Sequence, residues 1–121
     1  MDRELIKHIH KSLDMTKVSD SNIDMSIMNI KGMTGEKTRH FYNNIGSYKD
    51  CRLLEIGSHR GSSTCSFIYG NSIKCVAIDN WSEFDNHKQE FIKNIEMFKG
   101  ESKVSFIEKS CWEIDTRDID K

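Results

Sequence analysis

Leu53-Leu54-Glu55-Ile56-Gly57-Ser58-His59-Arg60-Gly61-Ser62-Ser63-Thr64 is the stretch from which the rest of the chain is read. It predicts an apolar strand ending in an acid, a glycine-bearing turn, and a helix that opens on three hydroxyl residues. That order suits a nucleotide-like ligand, because glycines let backbone approach a ligand closely while the free N–H groups of the following helix face its polar groups. Twenty-four positions after Glu55, a second apolar run from Ile73 to Ile78 ends in Asp79. Two parallel strands, each delivering a carboxylate at its carboxyl end, make a binding crevice of the doubly wound kind.

Working outward, Arg52 to Ile56 is the first strand, Ser62 to Tyr69 the following helix, closed by Gly70-Asn71, and Ile73 to Ile78 the second strand. A loop with Trp81 and Phe84 leads to a helix from about Asn86 to Lys99 that turns Phe91, Ile92, Ile95 and Phe98 inward and ends at Gly100. Val104 to Ile107 is the third strand, Lys109 to Glu113 a loop, and Asp115 to Lys121 a charged tail that is a frayed helix start or disordered. Upstream, Asp2 to Leu13 is a short amphipathic helix with Leu5, Ile6, Ile9 and Leu13 on one face. Asp14 to Gly32 reads as an irregular arm in which Met25, Ile27, Met28 and Ile30 make contacts. Thr34 can cap a helix running to about Ser47, with Phe41, Ile45 and Tyr42 on its buried side and Gly46 as a terminator. The fold class is therefore α/β: one Rossmann-like βαβαβ half, whose right-handed crossovers place the strands in order three, two, one, preceded by helices. Residues 1–31 form the N-terminal helix and arm, and residues 32–121 a partial ligand-binding domain with an incomplete sheet.

With 121 residues the chain can bury one modest core. Its net charge of −1 comes from interspersed lysines and acids, so there is no basic stripe for nucleic acid and no polybasic segment for a membrane surface. The longest apolar stretch, Ile73 to Ile78, is six residues even with Lys74 included, too short for a membrane span or signal sequence, and a cytoplasmic location is the expectation. Cys51, Cys65, Cys75 and Cys111 include no C-x-x-C pair, which leaves no zinc site and no redox dithiol, and no metal is expected. Cys51 and Cys75, at or within strands, and Cys65, in a helix, read as small buried hydrophobes. The absence of proline and the abundance of Ile, Lys and Asn read as nucleotide-composition bias.

Glu55 narrows the ligand. The dinucleotide fingerprint is G-x-G-x-x-G, whereas here an acid precedes the first glycine and the middle glycine is replaced. A carboxylate repels a pyrophosphate and gains a charge-assisted hydrogen bond from an ammonium group, so an amine-and-ribose ligand suits the site better.

These residues resemble the first motif of class I S-adenosylmethionine-dependent methyltransferases, especially the catechol-type O-methyltransferase branch with E-x-G-x-x-x-G-x-S. Val76-Ala77-Ile78-Asp79 looks like the second motif. The resemblance implies S-adenosylmethionine as cofactor, with Glu55 near its amine, Gly57, Ser58 and Gly61 lining its pocket, and Ser63 reaching its carboxylate. It assigns the ribose hydroxyls to Asp79, a carboxylate that can accept two at once. Asn80 and Trp81 follow that acid, and Ser110, Cys111 and Trp112, after the third strand, lie where the family flanks the adenine.

Each residue also has a plainer reading. Gly57 and Gly61 serve as turn glycines and Asp79 as a loop acid under it. Trp81 either covers the adenine, walls the substrate entrance, or anchors the core. His59 and Arg60 can contact a ligand, yet read as exposed loop residues without a paired acid. His40 reads as a surface histidine. Lys31-Gly32-Met33-Thr34-Gly35 stands where related enzymes place part of a lid.

The resemblance runs from about Gly32 to Glu113. The family's fourth to seventh strands, which carry its acidic motif, metal ligands or catalytic base and much of the acceptor pocket, have no counterpart here, so no catalytic residue can be carried over. Strand one, central in the full sheet, then has a free edge, which implies a fragment or truncated product, self-association through that edge, or an N-terminal arm that covers it. The favoured expectation is a fragment, Ile119-Asp120-Lys121 approaching a further strand. The function expected is the cofactor-binding portion of a small-molecule, O-directed methyltransferase, inactive or weakly cofactor-binding by itself, whose full-length relative takes a small methyl acceptor. The alternative is a non-catalytic Rossmann-like binding or assembly module. A nicotinamide-nucleotide domain is a third reading, which Glu55 and the lost glycine oppose.

Overall fold

Three short apolar runs pair side by side: β1 (Arg52–Ile56), β2 (Lys74–Asp79) and β3 (Lys103–Glu108), all parallel, in spatial order β1-β2-β3. The computed structural model describes residues 2–82 and 87–119. The register sets Leu53, Cys75 and Val104 abreast, and Glu55, Ala77 and Phe106 abreast two residues on. Because strand side chains alternate, these share one face. That face meets α4 (Ser62–Ile68) and α5 (Lys88–Phe98), where Cys65, Ile68, Cys75, Ala77, Trp81, Phe91 and Ile95 form the core. The opposite face is barer, with Leu54 and Ile56 of β1 46% and 60% exposed. Among the described residues nothing pairs with the outer edge of β1, and the N-terminal helices pack on other helices.

The strands match their predicted spans to within a residue or so at each end. So does α4, which stops at Ile68 before Gly70, whose φ of +69° suits glycine. In α5, Phe91 and Ile95 are buried and Ile92 and Phe98 pack beside them. The start expected at Asn86, like Phe84, falls outside the described residues. A 3-10 turn at Cys111–Glu113 and a short α6 (Thr116–Ile119) occupy what reads as loop and tail.

The N-terminal third departs further from expectation. Helix α1 (Arg3–Lys17) is longer than predicted and is capped by Asp2, whose carboxylate accepts from Glu4 N at 2.9 Å. Its buried residues are Ser12 and Thr16, while Ile6 and Leu13 are 36% and 43% exposed. The face is rotated because its neighbour, α3 (Glu36–Gly46), offers polar groups. His8 Nε2 lies 2.8 Å from Asn44 O, and Asn44 Nδ2 donates to Thr16 Oγ1 at 3.4 Å. Helix α2 (Met25–Met28) interrupts the expected arm; Ile23, Ile27 and Ile30 are buried, but Met25 stays 66% exposed, contrary to expectation.

Thr34 does not cap α3. Gly35 holds that position without a side-chain bond, and Thr34 Oγ1 instead sits 2.8 Å from Ser63 Oγ. The buried side of α3 is Arg39, His40, Asn43, Asn44 and Gly46, not Phe41, Tyr42 and Ile45, which are half-buried. His40 is a buried residue with Nδ1 2.7 Å from Ser21 Oγ, so its surface reading fails. Gly46 has a packing role: a Cβ there would stand 2.3 Å from Phe67 O of α4. Among the described residues no helix is long and apolar enough to cross a membrane.

Candidate functional site

The turn between β1 and α4 alternates into the left-handed region, with φ of +84° at Gly57, +50° at His59 and +90° at Gly61. Gly57 has open space around its Cβ position, whereas a Cβ at Gly61 would press on Phe91 at 3.1 Å. Gly57 therefore leaves backbone open, and Gly61 lets α5 close in. His59, a non-glycine residue held at positive φ, needs compensation. Asp79 supplies it: its Oδ2 accepts His59 N and its Oδ1 accepts Trp81 N, each at 2.8 Å. Trp81, with φ of +53°, returns a bond from Nε1 to His59 O at 2.7 Å. The acid ending β2 thus ties its own loop to the glycine turn, and each carboxylate oxygen retains a further lone pair.

Beyond the strand ends lies an open crevice of about 150 Å³, lined by Ile56, Gly57, Ile78, Asp79, Asn80, Lys109, Ser110 and Cys111. The ends of β1 and β2 and the loop after β3 contribute, the position at which open parallel sheets bind ligands. Five residues singled out from the sequence meet there: Gly57, Asp79, Asn80, Ser110 and Cys111. Lys109 joins them unforeseen, its only signal being its place directly after β3. Asn80 Oδ1 accepts from Ser82 N at 3.0 Å and Ser82 Oγ at 2.8 Å, and Ser110 Oγ from Trp112 N at 3.3 Å. No family model, curated protein or solved structure matches the chain. The geometry of this crevice is therefore what bears on function.

The remaining candidates lie elsewhere. Trp81 is 2% exposed, with Phe91 and Phe106 rings at 5.1 and 5.7 Å, so it anchors the core and offers no surface to the crevice. Trp112 is 93% exposed, and none of the described residues fixes it over a ligand. Ser63 is engaged by Thr34. Ser58 is buried, and its hydroxyl has no hydrogen-bond partner among the described residues.

Glu55 points to the helical side of β1, where Thr64 Oγ1 donates to its carboxylate. Burial pushes its pKa up to about 7; the Thr64 hydroxyl pulls the other way, and the Asp79 charge adds to the rise. Its neighbours Cys65 and Cys75 are pushed up to about 12 by burial first and by Glu55 second, so both thiols stay protonated.

Arg60 has the acid that seemed to be missing. Its Nε lies 3.0 Å from Glu90 Oε2, its Nη2 lies 2.8 Å from His87 Nε2, and His87 Nδ1 lies 2.8 Å from Glu90 Oε1. Asn94 Nδ2 also donates to Arg60 O at 2.9 Å. The start of α5 is thereby fastened to the glycine turn. Only the first helical turn's acid, Glu90, hinted at this.

Proposed function

We propose that the crevice at the ends of β1, β2 and β3 binds S-adenosylmethionine, and that the chain is the cofactor-binding portion of a small-molecule methyltransferase acting at oxygen. The observation that carries this reading is the convergence of Gly57, with its open backbone, and Asp79, with its free lone pairs, in one crevice bounded by Asn80, Ser110 and Cys111. Asp79 and Asn80 would hold the ribose hydroxyls, Gly57 would allow close backbone approach, and Ser110 and Cys111 would border the base. Glu55, turned to the helical side of β1 and bonded by Thr64, stands outside the crevice lining, so the amine contact that the resemblance implies is not part of this proposal. S-adenosylmethionine supplies a methyl group activated by a sulfonium; the protein's part is to position it.

Calorimetric titration of the chain with S-adenosylmethionine, S-adenosylhomocysteine and NAD tests the reading. Heat with the first two and not with NAD is the expected result. Absence of heat, or preference for NAD, would sink it. Asn80→Ala, which leaves both Asp79 bonds to the turn in place, should weaken the heat at an unchanged thermal midpoint, and unchanged heat would remove Asn80 from the site.

A second reading rests on the bare side of β1. Leu54 and Ile56 flank an edge strand with no partner among the described residues, which fits a module that associates with a second copy through that edge. Sedimentation over a range of concentrations decides it, since a monomer throughout removes this reading.

A further inference from the structure

Arg39 is 4% exposed, and no carboxylate forms an ion pair with it among the described residues. Its guanidinium instead clamps backbone, Nε donating to Thr34 O at 2.9 Å and Nη1 to Ile27 O at 2.7 Å and Met28 O at 3.2 Å. Carbonyl dipoles satisfy two nitrogens but leave a full positive charge buried, where charges are ordinarily paired. The third nitrogen, Nη2, donates to none of the described residues, and the position a Gly32 Cβ would take lies 3.8 Å from it. Arg39 also lines a cavity of about 170 Å³ with Met25, Met28, Thr34 and Glu36. That cavity shares no lining residue with the crevice at the strand ends.

We propose that this cavity is a second ligand site, which takes a small organic carboxylate on Arg39 with its short apolar group between Met25 and Met28. A guanidinium matches a carboxylate in geometry as well as charge. The dimensions suit a chain of a few carbons, and two thioethers give walls that adapt to it. Glu36 at the rim is the one lining acid, and its charge weakens the site without abolishing it. The site stands independently of S-adenosylmethionine binding, so either proposal can fail alone.

The test is a propionate titration of the full chain, followed by the NMR signal of the Arg39 Nε–H group, with n-propanol as neutral control. A saturable shift with propionate and none with n-propanol is expected. A shift that grows linearly with concentration, or one that n-propanol reproduces, would overturn the proposal. Glu36→Gln leaves the backbone clamp intact and should tighten propionate about threefold, the size of one screened charge–charge interaction; unchanged affinity in this variant also overturns it. Arg39→Lys, where it folds, should weaken propionate about tenfold because a single ammonium replaces a fork of donors.

Discussion

Helices α3 and α5 are both eleven residues long, yet they are buried by opposite means. Helix α5 lies on the sheet and sinks Phe91 and Ile95 into an aromatic and aliphatic core. Helix α3 lies on other helices and sinks Arg39, His40, Asn43 and Asn44. What differs is the surface each one meets. The sheet has spent its backbone groups on its own ladder and presents only side chains. The ends of α2 and α4 present unsatisfied carbonyls, which need donors. Asn43 shows the consequence: its Oδ1 accepts Asn22 N at 2.9 Å, while its Nδ2 donates to Ser66 O at 2.9 Å and Tyr69 O at 2.8 Å.

Removing bulk from the apolar helix should have the largest effect. Phe91→Ala takes a ring from between Trp81, Phe106 and Gly61, and should cost about 4 kcal/mol in urea unfolding. A loss below 1 kcal/mol would mean that the aromatic cluster is not what holds α5. Next comes Asn43→Leu, which keeps the branched four-atom shape and strips three backbone partners; it should cost about 3 kcal/mol. If Leu is tolerated there, α3 is held by bulk like α5, and the contrast between the helices dissolves.

Glu55 sharpens the comparison from a third position, a buried polar group with one hydroxyl partner and no helix end to serve. Its folded pKa, about 7, exceeds the ordinary value of 4.5, so the folded state binds the proton more tightly. That contribution is complete below about pH 4.5, is lost as the pH rises to about 7, and changes little above. The loss should be roughly 2 kcal/mol after allowance for partial exposure, and Glu55→Gln should flatten that pH dependence. An unchanged slope in the Gln variant would place the titrating group elsewhere. The smallest effect belongs to Met25→Ser, within about 0.5 kcal/mol, because that side chain is largely exposed. A larger loss would return Met25 to the core.

The sheet side of the molecule was legible because its signals are local. An apolar run with turn glycines at both ends reads as a strand wherever it occurs, and Gly57, Gly61 and Gly70 each stand at the positive φ their turns require. The convergence of Gly57, Asp79, Asn80, Ser110 and Cys111 followed from strand order and from ligands meeting parallel sheets at their carboxyl ends. Trp81 was not legible. An indole after a strand-end acid reads equally well as ligand cover or core, and the rings of Phe91 and Phe106 around it decide for core. Arg60 misled for a similar reason, since its acid lies thirty positions away on α5.

The amino-acid sequence by itself determined the α/β class, the three strands, the two helices that cover them and the residues at the strand ends, because period, turn chemistry and crossover length are properties of neighbouring residues. Tertiary structure alone decided which face of α1 and α3 is buried. A polar residue is driven inside only by unsatisfied backbone groups that another segment brings to it, and those groups have no signature in the segment that receives them.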